Sequence, residues 1–177
     1  MHIDEVQDAA FAPDNKQSVV RGEILSHGTL ECYSLQQSRV FYEEFLGLEC
    51  VRHARPAMAI RCGMKFHIVC VEVGNAVHPC SVLNHWGIDV SSEAEVDRVW
   101  QAAHDMKAQY GIRQVLDKVK QHGVYSFYLE DCDHNWWEIQ HYDGFQHQDM
   151  FDFGDRFSMD EDSDIHNLAE LQIKTST

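Results

Sequence analysis

Residues 24–47 read ILSHGTLECYSLQQSRVFYEEFLG, and residues 83–96 read LNHWGIDVSSEAEV. The first segment alternates apolar and polar side chains as far as Cys32, the period of a half-buried strand. It then changes to a helical period in which Leu35, Phe41, Tyr42, Phe45 and Leu46 share one face. Ser34 precedes that helix with Gln37 three residues on, a capping-box spacing, and Gly47 suits the C-terminal cap. The second segment repeats the plan. A strand at 83–90 leads to Ser92, with Glu95 three residues on, and to an apolar helix face of Val96, Val99, Trp100, Ala103 and Met106, with Gly111 near its end. His27 lies seven residues before Ser34, and His85 seven before Ser92. Two segments matched in phase at this spacing imply two copies of one supersecondary unit.

Working outward, three short strands are expected after each helix: 49–54, 57–62 and 65–73 in the first copy, 113–119, 123–130 and 136–142 in the second. The predicted fold is α+β. Two β-α-β-β-β modules, about 23–75 and 83–143, are related by a pseudo-two-fold and form a curved mixed sheet around a metal site. Residues 1–22 are then an N-terminal arm, and 144–177 an acidic C-terminal tail carrying Phe145, Phe151, Phe153 and Phe157. The tail reads either as a solvated acidic segment or as an aromatic strap that packs on the domain or crosses to a partner subunit.

A chain of 177 residues is long enough for one well-buried domain and short for two. The net charge of −15 argues against nucleic acid or an anionic membrane as partner, since phosphates are bound by clustered Lys and Arg. No run of about 18 apolar residues suggests a transmembrane helix. The first twenty residues lack the basic start and apolar stretch of a secretory signal, so a cytoplasmic location is expected. The six cysteines form no CxxC pair and sit partly in apolar strands, which points to reduced, buried thiols rather than a cysteine-bound zinc.

Strand alternation places His27 on one face with Leu25 and Thr29, His85 with Gly87 and Asp89, and Glu138 with Trp136 and Gln140. Pseudo-symmetry brings the two first strands side by side with both imidazoles inward, and adds His67 near the position that Glu138 holds in the second copy. An acid inside the strand WWEIQHY is costly unless it has a partner. Two neutral imidazoles and a carboxylate leave coordination positions open. That donor set suits Fe(II) with O2, and Mn, Ni, Zn or Co take the same ligands. His67 is either a fourth ligand, which closes the site, or a residue working beside the metal.

The segments SHGTLEC, RVFYEEFLGLE, NHWGIDV and SFYLEDCDHNWWEI resemble the vicinal oxygen chelate superfamily over roughly residues 23–143. That superfamily includes glyoxalase I, bleomycin-resistance proteins, fosfomycin-modifying enzymes and extradiol ring-cleaving dioxygenases. The resemblance implies metal ligands at His27, His85 and Glu138. The order His122, Phe127-Tyr128, Asp131 and Glu138 is similar to the extradiol dioxygenases, in which a Pro-x-Gly turn stands where this chain has Cys132-Asp133-His134. A non-glycine residue at 134 is then asked to adopt positive φ.

By that resemblance the chain is an Fe(II)-dependent extradiol-type dioxygenase acting on a catecholic aromatic substrate with O2. His67 is its acid–base group, Tyr128 a hydrogen-bond partner of the ionised substrate oxygen, and His122 a supporting contact. The alternatives are a redox-silent glyoxalase-like lyase, isomerase or transferase and a metal-free small-molecule binding protein. A homodimer is common among relatives.

Overall fold

The structure is a computed structural model that describes residue 19 and residues 25–63, 66–121 and 123–142. The chain divides after Tyr142, so the predicted tail at 144–177 lies outside the described residues, as do the arm (residue 19 apart) and His122. The first module runs β1 (His27–Cys32), α1 (Leu35–Val40), β2 (Glu49–Ala54), β3 (Ala57–Arg61) and β4 (His67–Glu72). The second runs β5 (His85–Asp89), α2 (Glu93–Asp105), α3 (Lys107–Tyr110), β6 (Gln114–Val115), β7 (Val119–Gln121), β8 (Val124–Glu130) and β9 (Trp136–Tyr142). Among the described residues no helix is long and apolar enough to cross a membrane.

The repeat is visible in the topology. One sheet has the order β1-β4-β3-β2 and the other β5-β9-β8-β6, with β7 also paired to β8. In each, the module's first strand is an edge strand lying parallel to its last, and the other pairings are antiparallel. The α+β class and the mixed pairing agree with expectation. Among the described residues, however, the strands form two sheets, one per module, rather than one hydrogen-bonded unit.

The two helices start differently. Ser92 Oγ accepts a bond from Glu95 N at 3.2 Å, the hydroxyl half of the predicted capping box. Ser34 has the extended backbone of an N-cap, but its hydroxyl makes no cap bond. Its place is taken by Glu72, whose Oε2 accepts from Leu35 N at 2.8 Å. Glu72 ends β4 directly opposite Cys32, and a carboxylate at a helix N-terminus is a stronger acceptor than a hydroxyl. Beyond α1 the chain FYEEF closes as a π turn, with Phe41 and Tyr42 both buried, and Gly47 follows at φ +70° as the left-handed cap.

One apolar core joins the modules. Phe41, Tyr42, Met58 and Ile60 pack in the same cluster as Val96, Phe127, Leu129, Trp137 and Ile139. Its polar centre is Asp131, fully buried in the β8–β9 loop. Asp131 accepts from Trp137 Nε1 at 3.0 Å, Tyr42 OH at 3.2 Å, Asp133 N at 2.8 Å and Asn135 N at 2.9 Å. Burial, only partly offset by the Trp137 bond, pushes its carboxyl up to about 6. Of the cysteines, Cys32, Cys50 and Cys70 are buried, while Cys62 and Cys80 are exposed, so the expectation of buried thiols holds for the strand positions facing the core.

At the tip of that loop His134 has φ +66°, the left-handed conformation expected where relatives have glycine. A residue with a Cβ loses about 1–2 kcal/mol there. The His134 Nδ1–Glu130 Oε1 pair at 2.7 Å returns no more than roughly 1 kcal/mol at a partly exposed site. His134→Gly is therefore expected to stabilise the fold by about 0.5–1 kcal/mol, read as a higher denaturant midpoint. A lower midpoint would mean that the Glu130 contact outweighs the strain.

Candidate metal centre

The second sheet assembles most of the predicted site. Across β9 and β8, Glu138 stands opposite Tyr128, and across β9 and β5 it stands opposite Gly87, one pleat from His85. His85 Nε2 lies 3.3 Å from Glu138 Oε2, and the Tyr128 ring meets the His85 ring edge-on at 5.0 Å between centroids. His85 Nδ1 is 2.7 Å from the carbonyl oxygen of Val82. A carbonyl only accepts, so Nδ1 carries the proton and Nε2 presents its lone pair towards Glu138 in the neutral ring.

The electrostatics follow from this arrangement. The Glu138 hydrogen bond raises His85 above its usual value, against the opposing effect of burial. Burial alone would raise Glu138, but the bond to His85 and the polar neighbours Ser126 and Tyr128 outweigh it, so its carboxyl sits below the usual range. Burial and then the Glu138 carboxylate push the Tyr128 phenol up, so it keeps its proton at neutral pH. Ser126 Oγ is fully buried beside both groups, and among the described residues it meets hydrogen-bond geometry to no partner.

The first sheet holds the rest. His27 and His67 are paired in register, with their rings stacked 5.8 Å apart and 18° from parallel. Ser26 Oγ lies 2.8 Å from His27 Nδ1. The register corrects one expectation. Thr29 pairs Val69 where Gly87 pairs Glu138, so the first-module counterpart of Glu138 is Val69, and His67 corresponds to Trp136. His67 is thus one pleat away from the position equivalent to Glu138.

The site residues are brought together as two groups: His27 with His67, and His85 with Glu138 and Tyr128. Among the described residues no three His, Cys, Asp or Glu side chains converge on one point. The contact between the modules explains why. A Cβ at Gly28 would lie 2.2 Å from Cη2 of Trp86, so the core faces of β1 and β5 meet there. Alternation then turns His27 and His85, each one residue away along its strand, off that contact.

The donor set nonetheless fits a divalent cation. A lone-pair nitrogen and a carboxylate oxygen converge, and the imidazole is oriented from behind by a carbonyl, as metal-binding histidines usually are. Sequence reasoning missed the Val82 carbonyl, which has no side-chain signature. It also missed the Glu49–Arg61 ion pair, 2.8 Å long, beside His67. The hairpin 49–61 carried that signal, because antiparallel pairing about its turn places these two residues opposite each other.

Metal binding at His85 must displace a proton held more tightly than usual. Affinity for a divalent cation is therefore expected to weaken by roughly tenfold per pH unit once pH falls below the raised His85 value. Calorimetric titration in buffers of different ionisation enthalpy measures this; a flat affinity from about pH 5.5 to 8 would sink it. In metal-free protein the His85 contribution to stability is present below the unfolded histidine value and lost as pH rises through the folded one. The Glu138 contribution is present above the unfolded carboxyl value and lost as pH falls through the folded one. The pair thus supports the metal-free fold most between about pH 4.5 and 6.5.

No protein-family model and no curated protein matches the chain. Solved structures do. A lactoylglutathione lyase from Agrobacterium tumefaciens is 19% identical with a TM-score of 0.52, over 68% of this chain and 94% of that one. A genomically encoded fosfomycin resistance protein from Listeria monocytogenes is 22% identical with a TM-score of 0.54, over 68% of this chain and 93% of that one. These likenesses show the fold: the described domain has the α+β architecture of glyoxalase and fosfomycin-resistance proteins, the one implied by the resemblance to the vicinal oxygen chelate superfamily.

Proposed function

We propose that this protein is an Fe(II)-dependent dioxygenase of the extradiol type, acting on a catecholic aromatic substrate with O2. His85 and Glu138 would hold the metal together with His27. The observation that carries this reading is the group His85–Glu138–Tyr128: two donors converge, and a protonated phenol stands directly opposite the carboxylate. Iron supplies Lewis acidity and O2 chemistry when bound. Tyr128, keeping its proton, donates a hydrogen bond to an ionised substrate oxygen. His67, one pleat off the ligand position, holds or returns a proton beside the reacting oxygens.

The metal centre spans two copies of the chain in this reading. His27 and His85 face away from the contact between their own modules, and among the described residues β1 and β5 are both edge strands with one unpaired side. A two-fold dimer would set β1 of one copy beside β5 of the other and bring His27 of the partner subunit to His85 and Glu138. Mixing inactive His27→Ala with inactive Glu138→Ala then regenerates one intact site per mixed dimer, about a quarter of wild-type activity from an equal mixture. No recovery after subunit exchange would place the whole site within one chain.

Oxygen uptake on a catechol panel, with iron analysis of protein purified without oxygen, tests the reaction. His67→Ala and Tyr128→Phe should each cost on the order of 10²–10⁴ in turnover at undiminished iron content. Full turnover in either variant would remove that residue's role. The second reading is a redox-silent lyase, isomerase or transferase, favoured by the lyase and the resistance protein that share the fold. Nickel or zinc in the purified protein, with no oxygen uptake on any catechol, would establish it over the first.

A further inference from the structure

Four side chains stand in one lateral row across the face of the first sheet that is turned away from the apolar core. His27 pairs His67 across β1 and β4, and Arg61 pairs Glu49 across β3 and β2. The register Ala59↔Val69 and Ile60↔Ile68, continued one step, sets Arg61 beside His67. The next row on this face is apolar, with Val51 opposite Ala59 and Ala59 opposite Val69. Together Glu49, Val51, Ala59, Arg61 and His67 line a cavity of about 310 Å³, a volume at the lower end of small-ligand sites and suited to a single ring.

Resting on the catechol reading above, we infer that Arg61 anchors the carboxylate of an acidic single-ring substrate, with Val51 and Ala59 as the apolar floor beneath the ring. Of the five lining residues Arg61 alone is a permanent cation. Its Nε donates to Glu49 Oε2 at 2.8 Å, and among the described residues its terminal NH2 groups have no other partner, so the fork remains available for a second carboxylate. The Glu49 pair is half exposed, and such pairs hold weakly, so a substrate anion displaces it at little cost. β1 and β3 are two strand spacings apart, about 10 Å. That span accommodates one ring with an oxygen pair at the His27 end and a carboxylate at the Arg61 end. A protein carrying a net −15 repels small anions at long range, so a local cation is needed to select one.

The test is calorimetric titration of the full-length, iron-loaded protein under anaerobic conditions with 3,4-dihydroxybenzoate and with catechol. The acid should bind at least about tenfold more tightly, the return expected from one charge-assisted pair. Arg61→Met should bring the two affinities within about twofold of each other, and Glu49→Gln should widen the preference by freeing the guanidinium. Equal binding by the wild-type protein, an unchanged preference in Arg61→Met, or no binding of either compound would overturn the inference. Oxygen uptake is read separately: a preference for the acid without ring opening refutes the dioxygenase reading and leaves the anion anchor standing.

Discussion

Glu138→Ala is expected to yield folded protein that retains no iron and has no measurable oxygen uptake. Glu138 supplies the one carboxylate that faces the His85 nitrogen, at 3.3 Å. Removal of Glu138, the ligand proposed above, should cost more than the roughly 10–100-fold in affinity that loss of an outer contact to a metal site costs. The fold should survive, at reduced stability because Glu138 is buried and its polar neighbours His85, Ser126 and Tyr128 all lose its carboxylate. His85 should in turn lose the partner that raises it and titrate closer to an ordinary histidine. Metal retained stoichiometrically in Glu138→Ala, measured by elemental analysis, would refute the site, whatever the activity.

Asp131→Ala is expected to be the most destabilising substitution in the described domain, by about 3–5 kcal/mol, a large part of a typical total of roughly 5–15. The change strips the acceptor from Trp137 Nε1, Tyr42 OH and two backbone N–H groups at once, all in a fully buried site. Asparagine is a poor replacement, since its amide turns two donors towards groups that are themselves donors. The pH dependence has a definite sign. The folded carboxyl, at about 6, keeps its proton where the unfolded one has lost it, so wild-type stability carries a falling component as pH rises from about 4 to 6. The Asn variant lacks that component. Urea midpoints of the two proteins across this range measure the difference; parallel pH profiles would show that Asp131 is not the group titrating.

The architecture was legible because its signal is local and occurs twice. A seven-residue offset from strand histidine to helix cap recurs in both halves, with three strands after the first helix. After the second, the strand expected at 113–119 is two short strands, β6 and β7, each paired to β8. In the second half the predicted β8 and β9 agree with the structure to within a residue. Which residues share a face within each strand followed from alternation alone. Three features required the third dimension. The offset of His67 from the ligand position depends on inter-strand register, which a one-residue change in loop length alters invisibly. The Glu72 cap on α1 displaces the Ser34 hydroxyl through a contact between residues 37 positions apart. The way the two modules face each other is set by Trp86 against Gly28, and no periodicity encodes that choice. The roles of His122 and of the tail at 144–177 lie outside the described residues.

The Gly28–Trp86 contact also gives the molecule an optical reporter. The Trp86 indole packs over a residue adjacent to His27, its neighbour Phe66 precedes His67 with ring centroids 6.2 Å away, and it is itself adjacent to His85. Any shift of these strands when cation or substrate is bound alters the surroundings of this indole. Its emission wavelength and quenching should therefore follow site assembly in real time, and a Trp86→Phe protein, in which the other three tryptophans remain, supplies the baseline against which that signal is read.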